Sequence, residues 1–314
     1  MRRLRILLLS NYESGHQPLR VAWPLAFLEQ AGFSVRALDL SLTELSHDAV
    51  RVADLVGLAV PMHTALRLGV AAAEEVRRVN SGAHICFFGL YAWLNAAYLL
   101  NGSDGQPLAD SVMAGEFEAG LVKLAERLAD QKPVDGLPGV RTRAAEQGPL
   151  RERLQFPLPK RSSLPDLSRY AHLVENGSNR VAGYVEATRG CLHTCRHCPV
   201  VPVYQGRFFV VSPETVMADI DQQVEAGARH ITFGDPDFLN GPGHALRVAR
   251  MLHARHPNVT FDFTTKVEHL LERAELLPEL RALGAAFVVS AFESTSDLVL
   301  QKLRKGHSAA DLDR

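Results

Sequence analysis

Short apolar runs alternate with stretches of helical periodicity over the first 130 residues, and this alternation limits the chain to very few folds. Residues 5–10 are almost continuously apolar, the pattern of a strand buried on both faces. A loop at 11–18 leads to a predicted helix at about 19–31, stopped by Gly32, and Pro24 inside it predicts a kink or a later start. Residues 35–40, 55–60, 84–89 and 111–114 read as further strands, with helices at 64–79, 92–100 and 118–129. In the helix at 64–79, Leu66, Val70, Ala73 and Val76 recur at helical spacing. Such a series predicts an α/β domain over 1–130, a doubly wound parallel sheet with helices on both faces. Ligands of such sheets bind at the carboxyl ends of the strands, so loops 11–18, 61–64, 89–93 and 115–118 are predicted to ring one crevice. No Gly-x-Gly-x-x-Gly opens the first helix, so a dinucleotide site is not indicated. Cys86, inside a strand, reads as a small buried hydrophobe.

Periodicity is lost over 131–179, where Pro133, Pro138, Pro149, Pro157, Pro159 and Pro165 fall, and this segment reads as a linker. Residues 140–142 suggest a short strand within it, and Tyr170 reads as a packing anchor. From 180 a second strand–helix series begins. Ser212 followed by Pro213 is a good helix start. Strands are predicted at 229–233, 259–264 and 286–292, with helices at 243–256, 268–283 and 295–305. Four such units predict a partial (βα) barrel over 180–314. Chemistry in barrels sits at the carboxyl ends of the strands, which here carry cysteines, then Asp235 and Asp237, then Lys266, then Glu293. Asp235 and Asp237 equally suit turn chemistry around Pro236 and Asn240-Gly241. Lys266 reads as a surface lysine.

Three of the four cysteines lie close together, as Cys191, Cys195 and Cys198, in a C-x3-C-x2-C triplet. Gly190 before them permits a sharp turn after an extended run. Three thiolates so spaced can hold three irons of a cubane and leave the fourth iron open to a small molecule. A zinc site with His193 or His197 as fourth ligand is the alternative, but ligands so near in sequence close a tetrahedron awkwardly. A disulfide would leave one cysteine over. The spacing favours an iron–sulfur cluster. A net charge of −1 argues against a nucleic-acid or membrane surface recognised by bulk electrostatics. The opening apolar stretch is too short for a secretory signal, and Asn11-Tyr12-Glu13 stands where a cleavage site belongs. No run approaches a membrane span, and a cytoplasmic location is expected.

Together with Thr188-Arg189-Gly190, the triplet resembles the cluster motif of the radical SAM superfamily. The resemblance implies a 4Fe-4S cluster on Cys191, Cys195 and Cys198, with S-adenosylmethionine chelated at the open iron. Its reductive cleavage would give a 5'-deoxyadenosyl radical acting on a small-molecule or unknown substrate. An electron donor such as flavodoxin or ferredoxin is implied as partner. His197 stands where the family usually has a bulky aromatic, and its flat imidazole can take that packing role. Gly234-Asp235-Pro236 loosely matches the motif that holds the methionine ammonium, and Glu293-Ser294 matches an acidic strand end near the ribose or methionine moiety. The order of elements, with the stretch 114–118, resembles the cobalamin-binding domain fused ahead of many radical SAM enzymes. It implies a cobalamin near His16, His63 and Glu116. His16 lacks the Asp and Gly of the usual cobalt-ligating motif, so an ordinary loop histidine is the simpler reading.

A closer resemblance runs along nearly the whole chain, through residues 15–18, 61–64, 198–204 and 231–237. It is to the uncharacterised radical SAM proteins named for a Cys-Cys-Ala-Glu-Pro or Cys-selenocysteine-Ala-Glu-Pro tail, which this sequence does not contain. The superfamily core has six units against four here, so the chain reads as a fragment, its last helix ending on charged residues without a cap. Two functions are therefore carried forward. One is a radical SAM enzyme, with cobalamin-assisted methyl transfer as one outcome. The other is a non-enzymatic cobalamin or metal sensor with zinc at the cysteine triplet.

Overall fold

The apolar run near the start becomes the central strand β1, Arg5–Ser10, because both its faces are covered. In the computed structural model, which describes residues 4–102, 105–175 and 177–314, the chain divides into one unit ending at Pro165 and another running Asp166–Arg314. After β1 the first unit continues α1 Leu19–Gln30, β2 Ser34–Asp39, α2 His47–Val52, β3 Leu55–Ala59 and α3 His63–Val79. It then runs β4 His84–Phe88, α4 Leu90–Leu94, α5 Ala96–Asn101, β5 Ser111–Met113, α6 Phe117–Ala129 and β6 Val140–Arg141. The sheet order is β2-β1-β3-β4-β5-β6, parallel except for β6.

Strand side chains alternate between faces, so neighbouring residues feed two different cores. Leu7, Leu9, Val56, Leu58, Ile85 and Phe87 pack with α2 to α5, whereas Ile6, Leu8, Leu55, Cys86 and Phe88 pack with α1 and α6. Each such side chain contributes about 1.5–3 kcal/mol by leaving water, which is why these strands tolerate no polar alternation. The unit is the expected doubly wound sheet. Strand order reverses between β1 and β3, and the loops after these two strands meet there: Ser14 Oγ lies 3.7 Å from Met62 Sδ.

Three local expectations are corrected. Pro24 does not delay α1, which runs through it with Pro24 buried. The helix expected at 92–100 breaks at Asn95 into α4 and α5. Helix α2 was not anticipated: six residues are too short to show periodicity, and its signal is the Ser46 hydroxyl accepting from Ala49 N at 3.3 Å. Much of the expected linker is built in. Gln17 Nε2 donates to Pro165 O at 3.0 Å and Gln17 Oε1 accepts from Arg161 Nη1 at 3.2 Å, while Trp23 Nε1 donates to Pro157 O at 3.1 Å. Residues 131–165 therefore lie with the first unit and 166–179 with the second.

The second unit opens with β7 His172–Glu175, β8 Ser178–Val185 and β9 Thr188–Gly190. It continues α7 Val200–Tyr204, β10 Phe208–Val210, α8 Pro213–Glu225, β11 His230–Phe233 and α9 Pro242–Arg255. It ends with β12 Thr260–Thr264, α10 Val267–Glu272, α11 Leu277–Ala282, β13 Ala285–Val289 and α12 Asp297–Leu303. The main sheet has the order β13-β12-β11-β8-β7, with β8, β11, β12 and β13 parallel in the manner of a partial barrel. The antiparallel β7 and the β9–β10 hairpin were not anticipated. Ser212 caps α8 as expected, accepting from Thr215 N at 3.1 Å. Beyond the last helix, Ser308 and Asp311 form a capping box at the start of the turn Ala309–Asp313. Among the described residues no helix is long and apolar enough to cross a membrane.

Candidate functional site

Strand β8 ends at Val185, and two residues later β9 carries the chain to Gly190 at the carboxyl rim of the sheet. Gly190 has φ +78°, and a Cβ there would lie 2.4 Å from Arg207 O. Only glycine gives both the turn and the close approach. Cys191 N then donates to Arg207 O at 3.0 Å and the cysteine loop begins. Its far side is held by the end of α12 and the residue after it, where Arg196 N donates to Leu303 O at 3.1 Å and Cys195 Sγ lies 3.6 Å from Arg304 O. Asn240 Oδ1 receives Leu192 N at 3.3 Å and lies 3.8 Å from Cys191 Sγ.

All three cysteines are free, which removes the disulfide reading. Burial pushes the Cys191 and Cys198 thiols up, and neighbouring sulfur adds to it: Cys198 acts on Cys191, and Cys195 on Cys198. The three sulfurs thus share one neighbourhood. A single zinc ion would draw its thiolates to about 3.8 Å of one another. Among the described residues, the group of three metal-binding atoms within 4.8 Å of one another is His193, Asp237 and His269, not the cysteines. Neither histidine proposed as a fourth zinc ligand turns toward them. His197 Nε2 meets Glu293 Oε1 at 3.1 Å, and His193 faces Asp237.

The root of the loop is locked by Asp235. It is 1% exposed, its Oδ2 accepts from Ala187 N at 3.0 Å, and the Thr188 hydroxyl donates to its Oδ1. Burial pushes this carboxyl up to about 7, with Glu186 adding to the effect and the two hydrogen bonds opposing it. Asp235 is therefore spent internally, joining β11 to the β8–β9 corner, rather than facing a ligand. Gly234 has a packing reason of its own: a Cβ would fall 2.0 Å from the Tyr184 hydroxyl. Beside this corner Arg189 and Glu186 form a buried ion pair, Nε to Oε2 3.2 Å.

Glu293 was expected on a strand end, and the structure brings it to His197. It adopts φ +76° just past β13 and also lies 3.4 Å from Lys305 Nζ, itself almost fully buried. The spacing of residues in sequence gave no hint of Lys305.

Asp237 follows on the same strand end. Its Oδ1 accepts from Thr265 Oγ1 at 2.6 Å and Leu239 N at 3.1 Å. Its Oδ2 lies 2.9 Å from His269 Nδ1 and 3.4 Å from His193 Nε2, whose rings are 4.5 Å apart. Burial would raise this carboxyl, but the nearby His193 and His269 imidazoles and the Thr265 hydroxyl outweigh it and hold Asp237 below the usual carboxylate range. Lys266 is not a surface lysine: its side chain is 8% exposed, pairs with Glu268, and sits 3.2 Å from His193 Nδ1. His269 and Glu268 went unremarked in sequence. The run Lys266-Val267-Glu268-His269, directly after β12, was the available signal, since it puts three polar groups on one strand end.

In the first unit, His16 is half-buried in the loop after β1, where its N donates to Glu13 O at 2.9 Å. His63 is exposed at the start of α3, edge-on to Tyr91 at 6.5 Å. Both stand at the strand reversal. Glu116, by contrast, is fully buried just ahead of α6.

Residues 185–314 match the profile of the Radical SAM superfamily. The chain is 28% identical over 203 residues to the hopanoid C-3 methylase of Methylococcus capsulatus, a match spanning 64% of this chain and 38% of that protein. Among solved structures it is similar to the radical S-adenosylmethionine methyltransferase TsrM from Kitasatospora setae, with cobalamin and a 4Fe-4S cluster bound. There the TM-score is 0.72 at 18% identity, covering 100% of this chain and 64% of that one. It is also similar to the cobalamin-dependent S-adenosylmethionine radical enzyme OxsB, with TM-score 0.73 at 16% identity, covering 98% and 46% respectively. The chain thus spans 38% of the methylase's length, 64% of the TsrM chain and 46% of the OxsB chain.

Proposed function

We propose that the chain, which carries a Radical SAM domain at residues 185–314, is an enzyme that holds a 4Fe-4S cluster on Cys191, Cys195 and Cys198 and uses it on S-adenosylmethionine. The observation that carries this is the cysteine loop: three free, largely buried thiols, electrostatically coupled, with neither neighbouring histidine turned toward them. When bound, the cluster supplies the electron that cleaves the sulfonium. The protein's part is to present the thiolates, keep water from two of them, and border the open side with polar groups. His197 and Glu293 form that border, with Lys305 fixing the carboxylate from behind. Asp235 and Gly234 act indirectly, by holding the loop root against β11.

The first unit, residues 1–130 at its core, is proposed to bind cobalamin across the strand reversal between β1 and β3, where His16 and His63 stand. Support comes from the strand order and from structural neighbours whose bound cobalamin accompanies the same fold. With a methylase as relative, cobalamin-assisted methyl transfer to a small molecule is the reaction class proposed, with a flavodoxin- or ferredoxin-like electron donor. A zinc sensor has no matching observation at the cysteines.

Anaerobic reconstitution tests this. About four irons per chain with acid-labile sulfide are expected, and 5'-deoxyadenosine or a methylated product from S-adenosylmethionine. A Cys195→Ala variant that retained both cluster and turnover would overturn the assignment. Co-elution of hydroxocobalamin with the protein tests the first unit separately.

A further inference from the structure

We propose a second, mononuclear metal site beneath the cysteine loop, in which His193 Nε2, Asp237 Oδ2 and His269 Nδ1 bind one divalent transition-metal ion of the zinc and ferrous-iron class. These three atoms lie within 4.8 Å of one another. Two of the separations are 2.9 Å and 3.4 Å. Metal bonds of about 2.0–2.1 Å put neighbouring ligand atoms about 2.9–3.4 Å apart at octahedral or tetrahedral angles, so the spacing already suits an ion.

A second observation points the same way. Each of the three atoms is buried and lacks a partner with hydrogen-bond geometry, although they converge on one another. Asp237 is 2% exposed and His269 is 6%. Buried polar atoms without a hydrogen bond are costly, and a cation held between these three would satisfy all of them at once.

The surroundings are those of a ligand set. Asp237 Oδ1 is already engaged by Thr265 and Leu239, which leaves Oδ2 directed at the histidines. His193 Nδ1 lies 3.5 Å from Glu268 Oε2, the carboxylate partner that a metal-bound histidine commonly keeps on its other nitrogen. Lys266 Nζ also lies 3.2 Å from His193 Nδ1. Two imidazoles and one carboxylate leave positions open for water or substrate, the composition of a reactive rather than a sealed site. His193 lies between Cys191 and Cys195, so the ion would pin the cysteine loop to the ends of β11 and β12 independently of any cluster.

The test separates this site from the cluster. A Cys191→Ala/Cys195→Ala/Cys198→Ala variant, loaded with Zn2+ and desalted, should keep about one zinc per chain. Adding Asp237→Asn or His269→Gln should remove it while circular dichroism shows a folded protein. In parallel, Co2+ added to the chain with its cysteines intact should give weak visible ligand-field bands from the nitrogen–oxygen site, distinct from the intense near-ultraviolet absorption of thiolate-bound cobalt. Zinc below a tenth of an equivalent in the cysteine-free variant, together with only thiolate-type cobalt absorption in the intact chain, would overturn the proposal. So would full zinc retention after Asp237→Asn in a folded protein. If the cysteine-free variant does not fold, the cobalt spectrum of the intact chain decides alone.

Discussion

His197 and Glu293, separated by 96 positions in the chain, meet at 3.1 Å, so a residue of the cysteine loop is tied to the residue that follows the last sheet strand. Glu293 reaches this position only by taking a left-handed backbone conformation, a strain that the contact with Lys305 helps to hold. Glu293→Gln is therefore expected to leave iron content unchanged and to weaken S-adenosylmethionine binding about tenfold, the size of one lost charge-assisted hydrogen bond. Equilibrium binding to the reconstituted protein measures it. Unchanged affinity would mean the pair only packs the loop.

Gly190→Ala should be severe. The new methyl would meet Arg207 O at 2.4 Å in a backbone conformation that disfavours any side chain. A loss of at least about 1–3 kcal/mol is expected, with reduced iron uptake, read by denaturant melts and iron assay.

Arg189 and Glu186 are both almost completely buried, so removing one charge strands the other. Arg189→Met should cost about 3–5 kcal/mol, and the double change Arg189→Met/Glu186→Gln should recover much of it. Equal losses in the single and double variants would count against the pairing.

His84 gives a pH dependence in the first unit. Burial, aided by Arg77 and opposed by Asp110, lowers its pKa from the ordinary 6.5. The unfolded chain then binds the proton more readily than the folded one. Stability should be level above about pH 6.5 and decline as pH falls below it, until the folded form titrates too. His84→Gln should flatten that limb in melting temperatures recorded across pH 5–8. A wild-type limb that persists in the variant would assign it to other groups.

Strands β1, β3 and β4 were legible because they are apolar on both faces, so that adjacent residues such as Leu7 and Leu8 are both buried. The cysteine triplet was legible because its chemistry is local. The pairing of Asp237 with His269, or of Glu293 with Lys305, was not, because it joins different strand ends that only the sheet order brings together. Lys266 was misread for the same reason: a lysine after a strand is usually solvated, and here Glu268 and His193 enclose it. Asp235, at the position likened to the methionine-ammonium motif, has its carboxylate turned inward to Ala187 and Thr188.

The backbone at the end of α12 and just after it touches the cysteine loop twice, at Arg196 N and at Cys195 Sγ. Those contacts come from Leu303 and Arg304, more than a hundred positions after the loop they support. Proteolytic clipping or shortening ahead of Leu303 would strip the backing from the middle sulfur and let solvent and oxygen reach it. A protein cut ahead of Leu303 is then expected to lose the proposed cluster faster in air, although every cysteine is still present.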